Sequence, residues 1–307
     1  MNFAIIFSGQ GLQNLSHVQQ LLDMAAELNV TQQLQQYLPK LFDPDLTEAD
    51  LYPNDFAQPF IFALQWCRWQ KLKPMLDEIM SFSGYSLGEL SALICSTEIS
   101  LAQGLSLAQQ RAQLMSAAAK MPSGLMAIQG INWKTLEPLL HSTATELSIK
   151  ISDSSFIVGG NDANLKQLAQ QLEQLGTRSM KRLNVTIPSH TVLMNVAVAP
   201  YQQVLHQQSF NRLNIPIISG SGGQKYFKSR EAVDALIEQM NHAIDWDSCL
   251  TAIQENQPDI VLEIGPGTAL SKMLLERQPN CSVRAVDEFK SFQGLQLWIE
   301  KQQNSYT

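Results

Sequence analysis

The sequence predicts an α/β fold: a parallel-sheet body built from two stretches of chain, with a smaller unit inserted between them. Three observations carry that reading. Short β-rich runs alternate with helix-forming stretches, the pattern of strands joined by crossover helices. Three of these runs stop at glycine-containing turns, so each delivers a loop to the carboxyl edge of a sheet, where ligands bind in open α/β folds. Between residues 123 and 188 the rhythm changes to β-α-β-β-α-β.

In chain order, residues 3–7 form a continuous apolar run that stops at Ser8-Gly9-Gln10-Gly11 and read as a first buried strand. Residues 78–83 read as a second, ending at Gly84, and residues 87–94 then have helix-forming composition. In the middle of the chain, 125–129, 147–151, 156–158 and 178–183 read as strands and 133–141 as a helix. Leu165, Leu168, Leu172 and Leu175 recur at helical spacing, with Asp162 as the cap candidate before them and Gly176 as the stop behind. The order βαββαβ is that of a ferredoxin-like unit. Residues 259–264 read as a further body strand, cut by Gly265-Pro266-Gly267 and followed by a helix over 268–276. The expected organisation is a large α/β-hydrolase-like parallel-sheet body over 1–122 and 189–307, a small ferredoxin-like subdomain over 123–188, and an active site in the cleft between them.

A chain of 307 residues, 45% hydrophobic and 16% charged, has the composition of a globular protein that buries a sizeable core without staples. Its formal charge of -7 gives no basic bias toward nucleic acid. An acidic protein handling anionic substrates needs local positive charge in its site, which makes each pocket arginine informative. Cys67, Cys95, Cys249 and Cys281 show no paired spacing of the zinc or redox kind, so buried reduced thiols are expected. The N-terminus lacks a basic n-region, and no apolar run approaches the roughly 18 residues of a membrane span. The expected location is cytoplasmic.

The chemistry starts from Gly84-Tyr85-Ser86-Leu87-Gly88. A G-x-S-x-G turn between a strand and a helix forces its serine into a sharp bend, and the flanking glycines remove side chains that would clash there. Ser86 then reads as a nucleophile, against a plain helix N-cap serine. The Leu87 N–H lies at the positive end of the helix that follows, placed to stabilise an oxyanion. A serine nucleophile needs a base. Of the five histidines, His17, His141 and His206 read as surface or capping residues and His242 as either. His190 follows Pro188-Ser189 at the junction of insertion and body, and reads equally as the base or as a capping histidine. Arg111 shares a helical stripe with Leu107, Leu114 and Ala118. A half-buried arginine there needs an anionic partner; an internal ion pair to Glu89, snorkelling to the surface and an anionic ligand all stay open.

Gly9-Gln10-Gly11, Gly84-Tyr85-Ser86-Leu87-Gly88-Glu89, Arg111 within Gln110-Arg111-Ala112-Gln113-Leu114-Met115, Pro188-Ser189-His190 and Glu263-Ile264-Gly265-Pro266-Gly267 together resemble the ordered motif set of malonyl-CoA:acyl carrier protein transacylases. The resemblance runs over essentially the whole chain. It implies that Ser86 attacks the malonyl thioester and His190 shuttles the proton. It also implies that the backbone N–H groups of Gln10 and Leu87 form the oxyanion hole, and that Arg111 clamps the free malonyl carboxylate. The backbone carbonyl of Gln239, in place of a carboxylate, would orient the histidine. No bound cofactor or metal is implied: malonyl-CoA is the donor substrate, and the thiol on the prosthetic arm of an acyl carrier protein is the acceptor.

Tyr85, Ser8 and Ser219-Gly220-Ser221-Gly222-Gly223 depart from the fatty-acid-pathway pattern of His, Pro and an Asn-rich turn. With the tail Arg284-Ala285-Val286-Asp287-Glu288-Phe289-Lys290-Ser291 and residues 294–298, they look more like the malonyl transferase (epsilon) subunit of biotin-independent malonate decarboxylase. The expected partner is then the decarboxylase's own carrier subunit, with fatty-acid or polyketide transacylation as the alternative. Two rivals stand further off. A serine thioesterase or hydrolase would use the same elbow, and a non-catalytic carrier-docking subunit would keep only the fold.

Overall fold

The computed structural model describes residues 1–305. Eleven strands are arranged in two sheets: β1 Asn2–Phe7, β2 Glu78–Gly84, β3 Ser123–Gln129, β4 Glu146–Ser152, β5 Ser155–Asn161, β6 Ser179–Arg182, β7 Ile217–Ile218, β8 Lys225–Tyr226, β9 Ile244–Asp245, β10 Ile260–Glu263 and β11 Ser282–Ala285.

The larger sheet has the order β11-β10-β1-β2-β7-β8. All its pairings are parallel except β7 with β8. Its central strand β1 is buried from Phe3 to Phe7, because helices cover both faces and leave no room for polar alternation. Helix Asn54–Leu72 carries the most continuous apolar run, Phe60 to Leu64, and packs on helices Leu101–Ala118 and Leu87–Thr97. Gly104 makes the first of these crossings possible, since a Cβ there would lie 2.2 Å from the Phe62 ring. Among the described residues no helix is long and apolar enough to cross a membrane.

The smaller sheet has the order β6-β3-β5-β4-β9. Its first four strands pair antiparallel in the ferredoxin-like arrangement expected from βαββαβ. Helices Trp133–Thr143 and Asp162–Gln174 lie on one face over a core of its own, which includes Met126, Ile128, Phe156 and Leu168. The mixed α/β architecture expected from the sequence is therefore present, with two corrections at its margins. The cap of helix Asp162–Gln174 is Asn161, not Asp162: Asn161 leaves β5 in extended conformation, and its side chain accepts from the Asn164 N–H. The small sheet also takes a fifth strand from outside residues 123–188. β9 pairs parallel with β4 through Ile149–Ile244 and Lys150–Asp245.

That fifth strand ties the two sheets together next to the Pro188-Ser189-His190 segment. Lys150 on β4 reaches Asp247 at 3.0 Å, and Asp247 is also paired with Arg277. Ser148 Oγ donates to the Ser189 carbonyl at 2.9 Å. All four cysteines are free; Cys67, Cys95 and Cys249 are buried as expected, whereas Cys281 is only half-buried.

Candidate active site

Ser86 sits between β2 and helix Leu87–Thr97 with φ 57° and ψ -112°, a strained conformation for a residue with a Cβ. The surroundings hold it there. The Tyr85 N–H donates to the Phe7 carbonyl, and the Glu89 N–H to the Ser86 carbonyl. Both flanking glycines are sterically required: a Cβ on Gly84 would lie 2.0 Å from Glu89 N, and one on Gly88 2.0 Å from Phe7 O. The first helical turn is thus pressed against the end of β1. Leu87 is the first helical residue, so its N–H has no intrahelical acceptor.

Ser86 Oγ lies 2.8 Å from His190 Nε2. His190 is fully buried and has φ 61°, a left-handed backbone held by its N–H bond to Met240 O at 3.1 Å. Its Nδ1 faces the backbone carbonyl of Gln239 at 2.5 Å. A carbonyl can only accept, so Nδ1 carries the proton and Nε2 is left to accept from Ser86. Burial, reinforced by the Arg111 charge, pushes the imidazole pKa down from 6.5 to about 3. The capping alternative for His190 is not realised. The other histidines differ among themselves: His141, His206 and His242 are exposed. His17 does cap, accepting from the Asn14 N–H, but it is buried and its Nε2 lies 2.8 Å from Asp287.

Arg111 is 1% exposed, which excludes snorkelling, and among the described residues it forms no direct ion pair with Glu89. Two amides solvate it. Nη1 donates to Gln58 Oε1 at 2.8 Å and Nη2 to Gln239 Oε1 at 3.0 Å. Nε has no partner. Gln239 Nε2 then donates to Glu89 Oε2 at 2.5 Å. Burial raises the Glu89 pKa to about 7, against the lowering influence of Ser219, Gln239, Gly220 and Arg111. Sequence reasoning missed Gln58. The signal was Gln58 and Gln65 seven residues apart in an apolar helix, both buried. Gln65 donates to the Ser8 carbonyl at 2.7 Å and accepts from Ser91, which fixes the loop leading to Gln10.

A pocket of about 270 Å³ opens beside Ser86, walled by Gln10, Tyr85, Leu125, Lys181, Leu183 and Met273 among others. Gln10 and Ser86 share its wall, whereas Arg111, His190 and Gln239 are buried and do not line it. Tyr85 packs edge-on against Trp246, with ring centroids 5.2 Å apart. On the opposite side the Ser8 hydroxyl donates to the Pro266 carbonyl at 3.1 Å, and a Cβ on Gly267 would meet Leu12 at 2.4 Å. The Gly9-Gln10-Gly11 and Gly265-Pro266-Gly267 turns therefore brace each other. The arrangement provides a hydroxyl, a neutral base in contact with it, free backbone donors and a buried cation. The first three are the parts an acyl transfer through serine requires.

Known proteins are similar over almost the full length. The polyketide biosynthesis malonyl CoA-acyl carrier protein transacylase of Bacillus subtilis is 24% identical over 277 residues, covering 88% of this chain and 94% of that protein. The solved malonyl-CoA:acyl carrier protein transacylase of Xanthomonas oryzae superposes with a TM-score of 0.85 at 23% identity, covering 92% of this chain and 94% of that one. A malonyl-transacylase solved in complex with its type II polyketide acyl-carrier protein gives 0.83 at 22% identity, with 93% and 96% covered. These structures share the fold. Residues 4–304 match the acyl transferase domain as a family, and with nearly every residue inside that match the chain belongs to it.

Proposed function

We propose that the chain transfers a malonyl group from malonyl-CoA to the thiol of an acyl carrier protein through a malonyl-serine intermediate. The observation that carries this reading is the hydrogen-bonded line from Ser86 Oγ through His190 to the Gln239 carbonyl, joined by the Gln239 side chain to a buried arginine without a carboxylate partner. As Ser86 Oγ attacks the thioester carbonyl, His190 Nε2 takes its proton and returns it to the departing CoA sulfur. In the second half the carrier thiol gives its proton to His190 and attacks the malonyl-serine ester, and His190 Nε2 returns that proton to the Ser86 oxygen as the ester C–O bond breaks. The oxyanion of each tetrahedral intermediate falls to the N–H groups of Gln10 and Leu87. One such donor supplies roughly 3 to 4 kcal/mol of transition-state stabilisation.

Arg111 is the selectivity element in this reading. Of the five N–H donors of a guanidinium, the two amides take two, so three remain for the free carboxylate of the acyl group. A charge-assisted hydrogen bond contributes about 1.5 to 3 kcal/mol, or one to two orders of magnitude in favour of malonyl over acetyl.

For the carrier, the names of the matched relatives favour a free acyl carrier protein of the fatty-acid or polyketide kind. The features that suggested the malonate decarboxylase subunit have internal roles here. Tyr85 packs on Trp246, and Asp287 of the tail is bound by Arg68, His17 and the Gly267 N–H. Neither singles out the decarboxylase carrier.

Three outcomes follow. Arg111→Ala should lose malonyl transfer and gain acetyl transfer relative to it, read as the ratio of kcat/KM for the two CoA thioesters; an unchanged ratio removes Arg111 from carboxylate binding. Offered purified carriers of both kinds, the enzyme should charge the fatty-acid or polyketide carrier faster, and a strong preference for the decarboxylase carrier would reverse the assignment. The depressed His190 pKa also makes a stability prediction. Between pH 6.5 and about 3 the unfolded chain binds a proton that the native imidazole does not, so this contribution is complete above 6.5 and lost as pH falls. Compared with His190→Gln, the wild type should lose about 2 kcal/mol of unfolding free energy between pH 7 and pH 5. The comparison cancels Glu89 and Glu263, whose pKa values burial raises to about 7. A pH-independent difference in denaturant titrations would mean that His190 is protonated in the native state.

A further inference from the structure

One residue joins the histidine, the arginine and a buried carboxyl of this site. Gln239 accepts the His190 Nδ1 proton on its backbone carbonyl, accepts Arg111 Nη2 on its side-chain oxygen, and donates from its side-chain nitrogen to Glu89. All four residues are at most 2% exposed. An amide has one accepting end and one donating end, whereas a guanidinium only donates and a carboxylate only accepts. The Gln239 amide is therefore polarised from both sides, with oxygen toward Arg111 and nitrogen toward Glu89. Gln58 is held in the same sense: its Nε2 donates to Asn54 Oδ1 at 2.8 Å, and its oxygen faces Arg111.

Glu89 is the carboxylate of this chain: Ser219 and Gly220 also act on it, and its link to Arg111 runs through Gln239. A buried carboxyl is costly to keep, and the amide or hydrocarbon that could replace it would pack at less cost. It lies at the start of the helix that follows Ser86, yet it points its oxygen at Gln239 and makes no direct contact with Arg111 within ion-pair distance.

We propose that Glu89 is a positioning residue: by fixing the orientation of the Gln239 amide it holds the Arg111 guanidinium in one pose, with three N–H groups left for the acyl carboxylate, and so sets the preference for carboxyl-bearing acyl groups. This rests on the reading of Arg111 as the carboxylate clamp. Glu89 does not touch substrate and acts only through Gln239.

The test is Glu89→Gln, which replaces the charged acceptor of the Gln239 Nε2–H by a neutral amide and so loosens the bridge that steadies Arg111. The KM for malonyl-CoA should rise about tenfold while that for acetyl-CoA moves less than about twofold, the loss of one charge-assisted bond at the clamp. Gln239→Asn, which keeps the backbone carbonyl but is too short to bridge, should shift the malonyl-to-acetyl KM ratio by a similar factor. The double variant should be no worse than either single one, because the two act in series. An unchanged ratio in Glu89→Gln, a parallel rise of both KM values, or additive effects in the double variant would overturn the proposal. If Glu89→Gln does not fold, the ratio in Gln239→Asn decides alone. Arg111→Ala measured alongside separates the two levels. If it keeps the malonyl preference, the clamp falls and the relay with it; if it loses the preference while Glu89→Gln keeps it, only the relay is overturned.

Discussion

The contact on which the rest of the site depends is the imidazole of His190 held between Ser86 Oγ and the Gln239 carbonyl. Its two ends come from distant parts of the chain. Ser86 is delivered by the strand-to-helix bend at the carboxyl edge of the large sheet, and Gln239 by the C-terminal cap of helix Ser229–Glu238. His190 lies where the small sheet rejoins the body, anchored through Met240 on one side and, one residue earlier, through Ser148 of β4 on the other. The pairing of β4 with β9 and the Lys150–Asp247 bridge therefore do more than join two sheets. They hold the β4 segment that Ser148 joins to Ser189, next to His190.

The electrostatics follow from the absence of a carboxylate at two places where one is commonly found. Behind His190 stands a carbonyl in place of a carboxylate, and burial with the Arg111 charge keeps the imidazole neutral. Around Arg111 stand two amides, so a fully buried cation is solvated without being neutralised. Desolvation lowers its pKa, and Tyr201 and then Glu89 oppose that shift. An arginine already paired to a carboxylate has little affinity left for another; one cradled by amide oxygens keeps both its charge and most of its donors for a ligand. The unpartnered Nε fits this state.

Much of this was legible in the sequence wherever a local rule forces a residue type. The elbow demands glycine at 84 and 88, and the atoms that a Cβ would strike are backbone. The small sheet was readable because Leu165, Leu168 and Leu172 keep helical period and four of its strands, β3 to β6, are four to seven residues long. Strands β7, β8 and β9, at two residues each, have no period to read. His17 caps its helix, one of the two roles read for it, but its contact with Asp287 could not be read because the two lie 270 residues apart. The Gln239 carbonyl came from family resemblance alone, since a backbone oxygen leaves no mark on residue type. Gln58 and the bridging role of Gln239 were missed because buried amides in a glutamine-rich chain look like surface residues until their partners are known.

The central claim is that Ser86 carries the acyl group between donor and acceptor. Brief incubation with malonyl-CoA in the absence of any carrier, acid quench and peptide mass mapping test it directly. The account predicts a malonyl ester on the peptide containing Ser86, absent from Ser86→Ala and discharged when carrier thiol is added before the quench. A malonylated carrier formed at the wild-type rate by Ser86→Ala, or an adduct on any other residue, would contradict it.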